Sequence, residues 1–181
     1  PSSAASDVYK RQKQAYDFDW LMDNITEKTF LLVLDGVTDP RNFGACLRVA
    51  DAAGVQAVVV PRDRSASFSP AAAKAAAGAW ETVPVVQVTN LASSLVELRD
   101  AGVLVIGTAG EAEQTIYDID QKRPVAWVLG AEGEGLRQLT RKRCDVLAKI
   151  PMFGAVDSLN VSVASGVCLF ETVRQRVAAG K

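Results

Sequence analysis

From Thr29 onward, short and nearly continuous apolar runs alternate with stretches of helical character, and this alternation constrains the fold more than any other feature. The runs are FLLVLDG (30–36), QAVVVP (56–61), VPVVQV (83–88), VLVIGTAG (103–110), VAWVLGAEGEG (125–135) and VLAKIPM (146–152). A strand with one wet face alternates apolar and polar side chains, whereas a strand apolar throughout is covered on both faces. Between the runs lie DPRNFGACLRVADAAG (39–54), PAAAKAAAGAW (70–80), NLASSLVELRDAG (90–102), LRQLTRKR (136–143) and SLNVSVASGVCLFETVRQRVA (158–178). Asp-Pro opens the first of these and Gly closes it; Asn opens the third and Gly closes it, as helix caps require. The last has Leu159, Val163, Val167 and Phe170 at helical spacing, which predicts its buried face. Strands alternating with helices predict an α/β domain with a parallel sheet of about six strands flanked by helices.

The chain has 181 residues, the size of one domain. Residues 1–15 have neither helical nor strand period and read as a disordered or non-native leader. Residues 16–29, with YDFDWLMDNI, read as a short helical lead-in, and 30–178 as the domain proper. Lys+Arg is 20 and Asp+Glu is 21, so a wholly basic nucleic-acid coat is excluded and a local basic patch is not. There is no histidine. That removes His general bases, Ser-His-Asp and Cys-His nucleophiles and His-ligated metals. Cys46, Cys144 and Cys168 form no CxxC pair, and so sparse a set suits a reducing cytosol. No apolar run approaches the roughly 20 residues of a membrane span.

In a parallel sheet, ligands bind beyond the carboxyl ends of the strands. Four such ends are unusual: DGVTDPRNFG, TAG, LGAEGEG and IPMFGAVDSLN. Neither GxxxxGK[ST] nor a GxGxxG after the first strand occurs, which argues against a P-loop enzyme and a Rossmann oxidoreductase. The loop from Gly130 to Gly135 carries Glu132 and Glu134, and carboxylates inside a phosphate nest repel phosphate. It suits a neutral or cationic ligand, or a sugar hydroxyl donating to Glu132. An ordinary strand-to-helix turn, its glutamates favouring the next helix's N-terminus, fits equally.

Single residues stay ambiguous at this level. Asn42 and Arg48 share one helix, about 120° apart around its axis. Arg48 is either functional or a solvent-facing arginine. Ser158 is a natural N-cap for the last helix, with Asn160 in its first turn, so capping explains both. Arg137, Arg141, Lys142 and Arg143, with Lys122 and Arg123 nearby, form either a phosphate-contact patch or a solvated face. Trp80 and Trp127 read as core. Asn42, Arg48, Ser158 and Asn160 gain weight together, because all lie at the sheet edge that carries the glycine loops.

Three strings, DGVTDPRNFGACLRVADAAGV, VLGAEGEGL and IPMFGAVDSLNVSVASGVCLFE, resemble in order and spacing the three motifs of the SpoU/TrmH family of RNA ribose 2′-O-methyltransferases, in the SPOUT superfamily. The likeness runs from about Phe30 to Arg176. GACLR, GAEGEG and SLNVSVA are most similar to its RlmB-type branch, which acts on a guanosine of 23S rRNA. A tRNA 2′-O-methyltransferase of the same family and a non-catalytic RNA-binding module are the alternatives. The resemblance implies a SPOUT-type parallel sheet with a deep C-terminal trefoil knot, S-adenosyl-L-methionine as cofactor, structured RNA (23S rRNA) as partner, a homodimer, no metal, no membrane, and the cytoplasm. It also implies that Asn42, Arg48, Glu132, Ser158 and Asn160 are catalytic. Gly130, Ile150 and Leu159 would meet the cofactor through their backbone, in a crevice also bounded by Thr108, Ala109, Gly110 and Met152. Arginine, with a pKa above roughly 12, is a poor base. The role expected for Arg48 is therefore to fix an RNA phosphate and stabilise the nascent alkoxide. Members of that branch usually carry a further N-terminal RNA-binding domain of L30e-like fold, for which residues 1–29 are too short.

Overall fold

Seven strands are laid down in the order β1 (Phe30–Asp35), β2 (Ala57–Pro61), β3 (Val85–Val88), β4 (Leu104–Thr108), β5 (Gln114–Thr115), β6 (Val125–Gly130) and β7 (Val146–Lys149). The helices are α1 (Phe18–Asp23), α2 (Pro40–Ala53), α3 (Pro70–Ala76), α4 (Ala79–Thr82), α5 (Leu91–Asp100), α6 (Gln138–Arg143) and α7 (Val161–Ala178). The computed structural model describes residues 7, 16–66, 69–131 and 133–180. The expected leader, Asp7 apart, and Glu132 lie outside these described residues.

The strands form one sheet in the order β3-β2-β1-β6-β4-β7-β5, and each neighbouring pair is parallel. The α/β expectation holds. The seventh strand, β5, has two residues and is too short to show a period in sequence. Burial on both sheet faces explains the apolar runs. Leu32 and Leu34 meet Phe43, Leu47, Trp80 and Leu169 on one face. Leu31 and Val33 meet Leu91, Leu95 and Leu98 on the other.

The capping signals of α2 and α5 are realised. Asp39 Oδ1 accepts from the Arg41 and Asn42 amides at 2.8 and 3.1 Å, and Gly54 ends α2 at φ 80°. Asn90 Oδ1 accepts from the Ser93 amide at 3.0 Å. The stretch 70–80, expected as one helix, is two. Ala77 and Gly78 both take left-handed backbone, at φ 51° and 90°. The turn swings Trp80 inward, edge-on to Phe43 with ring centroids 5.5 Å apart.

The last helix departs most from expectation. It begins at Val161, and its cap is Asn160, whose Oδ1 accepts from the Ser162 amide at 2.9 Å. Ser158 is not the cap. The buried face carries Val161, Ser165, Cys168, Leu169 and Thr172, while Val163 and Phe170 are exposed. The physical reason lies in the segment between β5 and β6, which packs on α7 and brings buried backbone groups that need partners. Gln175 Nε2 donates to the Ile119 carbonyl at 3.0 Å, and the Gln121 amide donates to Gln175 Oε1 at 2.7 Å. Thr172 donates to Gln121 and accepts from Trp127 Nε1, the latter at 2.9 Å. Polar side chains thus point inward beside Val161, Cys168 and Leu169, while Val163 and Phe170 stay outside.

Candidate active site

Strands β6, β4 and β7 are neighbours in the sheet, so the loops that follow them converge. Between them lies a cleft of about 380 Å³, walled by the start of α7. Thr108 comes from the end of β4, Ala109 and Gly110 from the loop that follows it, and Gly130 from the end of β6. Ile150, Met152, Ser158 and Leu159 come from the chain between β7 and α7. All eight were expected at the site.

Three other expected residues, Asn42, Asn160 and Arg48, do not line the cleft. Asn160 follows Leu159 directly, and its Nδ2 donates to Asn42 Oδ1 at 3.0 Å. That bond ties the start of α2 to the start of α7 beside the cleft. Arg48 is exposed on α2, outside the lining. Glu132 lies outside the described residues.

The cleft is shaped by backbone. A Cβ on Gly130 would lie 2.1 Å from the Gly135 carbonyl oxygen, so the loop folds tightly over this glycine. The Gly135 amide closes it by donating to the Ala131 carbonyl at 2.9 Å. Arg137 then anchors the loop to the fully buried Asp35 at the end of β1. Its backbone amide reaches Asp35 Oδ2 at 3.2 Å, and its Nε and Nη2 each reach Oδ1 at 2.8 Å. Among the described residues, Pro151 to Leu159 make no backbone–backbone hydrogen bond, so their C=O groups, and the N–H groups of all but Pro151, remain for a ligand.

The charged side chains in the described lining are Glu111, Glu134, Asp157 and Arg141. Arg141 pairs with Glu111 across the rim. The Glu111 carboxyl is held below the usual carboxylate range by a backbone hydrogen bond and by Arg141. The balance favours a neutral or cationic ligand over a polyphosphate. Sequence reasoning did not single out Glu111 and Asp157, and it read Arg141 as either an RNA contact or part of a solvated face. The one available signal was adjacency: Glu111 follows TAG, and Asp157 precedes Ser158. The basic patch is also partly spent internally, since Arg137 pairs with Asp35, Arg141 with Glu111, and Lys122 with Asp120 at 2.9 Å.

Burial pushes the Cys46 and Cys144 thiols up to about 12 and raises Cys168 as well, so none is an activated nucleophile. Among the described residues, no cluster of His, Cys, Asp and Glu is placed to hold a metal ion. Among them, too, no helix is long and apolar enough to cross a membrane.

Comparison with known proteins gives a consistent picture. The chain is 64% identical over 162 residues to the 23S rRNA (guanosine-2′-O-)-methyltransferase RlmB of Ralstonia nicotianae, covering 90% of this chain and 65% of that protein. The chain therefore spans just under two thirds of that relative's length. Among solved structures, the SpoU methyltransferase AviRb from Streptomyces viridochromogenes superposes with a TM-score of 0.83 at 26% identity, covering 91% of this chain and 66% of that one. An AdoMet-bound rRNA methyltransferase from Sinorhizobium meliloti gives 0.79 at 33% identity, covering 85% and 59%. The family model described as the SpoU rRNA Methylase family matches residues 29–170, which hold the sheet, the three converging loops and the Asn42–Asn160 contact, and the chain belongs to that family.

Proposed function

We propose that this chain transfers a methyl group from S-adenosylmethionine to a ribose 2′-hydroxyl of structured RNA, with a guanosine of 23S rRNA as the substrate. The observation that carries the reading is the cleft, with its three loops, its free backbone groups and its acid-rich rim. S-adenosylmethionine, when bound, supplies an electrophilic methyl on a sulfonium. The cleft fits that molecule in kind. Its volume suits a nucleoside-sized ligand. The carboxylates of Glu134 and Asp157 complement positive charge. The backbone of Pro151 to Leu159, which bonds to no other backbone among the described residues, can read an adenine edge, and the Gly130 turn admits close backbone approach.

The other groups divide the remaining tasks. Asn160 spends its oxygen on the α7 cap and its amino group on Asn42. Asn42 Oδ1 is thereby occupied, and its Nδ2 is the donor left for substrate. Ser158 offers a hydroxyl inside the cleft. The exposed guanidinium of Arg48 takes an RNA phosphate and stabilises charge on the attacking oxygen. With no histidine in the chain, the 2′-hydroxyl proton passes to Glu132 or to the RNA phosphate.

The finer architecture belongs to the same proposal. Residues 150–160 would thread the C-terminal helix through a loop to make a trefoil knot; the succession of β7, an extended cleft segment and α7 supports this. A homodimer would cover the exposed Val163 and Phe170 of α7. Residues 30–178 would be the catalytic domain, and the cytoplasm its compartment.

Calorimetric titration with S-adenosylmethionine, with NAD as control, tests the cofactor. Single-turnover transfer of labelled methyl to 23S rRNA tests the reaction. Arg48→Ala should lower that rate on the order of 10²–10³-fold while leaving cofactor affinity unchanged. Tight NAD binding without S-adenosylmethionine binding would overturn the reading.

A further inference from the structure

A second cavity, of about 310 Å³, opens beyond the ends of β2 and β3, on the other side of the Asp35–Arg137 pair from the cleft. Arg64, Arg137, the start of α5 at Asn90 to Ala92, and Asp63 contribute to its lining.

Arg64 is the informative residue. It makes no hydrogen bond or ion pair with any described residue, and its Nε is enclosed without an acceptor. Its guanidinium lies against the turn that ends β1. A Cβ on Gly36 would stand 2.8 Å from Nη2, so the glycine leaves the space the guanidinium occupies. A half-buried cation without an acceptor is costly unless a ligand supplies one.

The surroundings match an anion. Arg137 gives Nε and Nη2 to Asp35, remains 41% exposed, and retains Nη1 for a further partner. The Asn90 side chain is used by the Ser93 amide, and Leu91 and Ala92, whose amides open the first turn of the ten-residue α5, belong to the cavity lining. Asp63 is the opposing charge and is exposed, where water screens it.

We propose that this cavity holds a phosphodiester group of the RNA backbone, with Arg64 as its principal donor. The non-bridging oxygens of a phosphodiester fit the planar guanidinium fork. Contacts of this kind fix where RNA lies without reading its sequence. The site adjoins the methyl-transfer cleft through a shared wall, since Arg137 follows Leu136 of the cleft lining. RNA held at Arg64 is thereby registered relative to the reacting ribose. The proposal rests on the RNA-methyltransferase reading above.

The test measures binding of a fluorescein-labelled 23S rRNA fragment to the 181-residue chain across a salt series, for wild type, Arg64→Ala and Arg64→Lys. Both variants should bind more weakly, and Arg64→Ala should lower the salt slope by roughly one. S-adenosylmethionine affinity should not move, which separates the site from the cleft. NMR of the Arg64 Nε–H in the wild-type chain needs no variant to fold, and its signal should shift on adding RNA. Inorganic phosphate is the second arm: a shift with phosphate and none with RNA overturns the proposal. RNA binding by wild type with unchanged affinity and slope in both variants overturns the proposal alone. No RNA binding by wild type, even at low salt, overturns it together with the RNA reading.

Discussion

Replacing Gly130 by alanine adds one methyl group at the place where the cleft loop turns back on its strand. The new Cβ would lie 2.1 Å from the Gly135 oxygen, 2.2 Å from its carbonyl carbon and 2.7 Å from the Leu136 nitrogen. Real Cβ atoms essentially never approach closer than 3.0 Å, so the loop must give by nearly an ångström. The obstructing atoms are backbone and cannot rotate away. Nor can the loop lift freely. Gly135 is bonded to Ala131, and two residues later Arg137 is pinned to Asp35, whose register partner across the sheet is Gly130 itself. Overpacking of this kind costs about 1–3 kcal/mol. Because the strain falls on the wall of the cleft, much of it should appear as lost cofactor binding, about 5- to 100-fold in Kd.

Gly110 supplies the control. It lines the same cleft, yet a Cβ there meets nothing within 4 Å. Calorimetry with S-adenosylmethionine on both alanine variants, with thermal melts to confirm folding, should show a large loss for Gly130→Ala and little for Gly110→Ala. Equal affinities for the two would refute the claim that the Gly130 turn shapes the binding site.

Three further outcomes are expected. Thr172→Val strands the buried Trp127 indole N–H and the Gln121 oxygen, so urea unfolding should show a loss of about 1–3 kcal/mol, largely recovered in Thr172→Ser. Ellman's reagent at mildly alkaline pH should leave all three cysteines of the native chain unlabelled, because burial holds their thiols protonated; rapid native labelling would contradict this. The Glu171 carboxyl is held below its usual range by Arg174 and then by Gln175. Its contribution is complete above the unfolded carboxylate pKa of about 4.3 and lost as pH falls through the lower folded value, so Glu171→Gln should flatten the acid limb of thermal stability.

Sheet and site differ in how far they were readable from sequence. The parallel sheet was legible because burial on both faces writes itself as continuous apolar runs. The helix at 70–80 was misread because Ala77 is an ordinary helix former; its φ of 51° goes with the turn that buries Trp80 against Phe43, a tertiary contact that local propensity does not carry. The face of α7 was misread for a related reason. Hydrophobic periodicity assumes that the inward side is apolar, but Gln175 is drawn in by the Gln121 amide and the Ile119 carbonyl, and Thr172 by the Gln121 and Trp127 side chains, all about 50 residues earlier. Arg137 and Arg141 looked like a solvent or RNA face because their acidic partners, Asp35 and Glu111, are remote in sequence.

Asn160 shows why the motif residues were readable as a group and not one by one. A serine and an asparagine two positions apart before a helix are both acceptable caps, and sequence favours neither. The fold separates them. Asn160 caps α7 through its oxygen, which frees Ser158 to stand in the cleft three residues before the helix begins. The same amide has a second end, and its amino group reaches Asn42 across 118 positions of chain. Replacing Asn160 by aspartate keeps a cap acceptor but turns the donor facing Asn42 Oδ1 into a second acceptor. Repulsion between those oxygens should separate the starts of α2 and α7 at the cleft while the helix itself persists. Asn160→Asp should therefore retain its helical circular dichroism and lose methyl transfer. Asn160→Ser, which also caps, should lose transfer as well because it cannot span the gap. Full activity in either variant would mean that capping alone explains the residue, and that the bond to Asn42 is incidental.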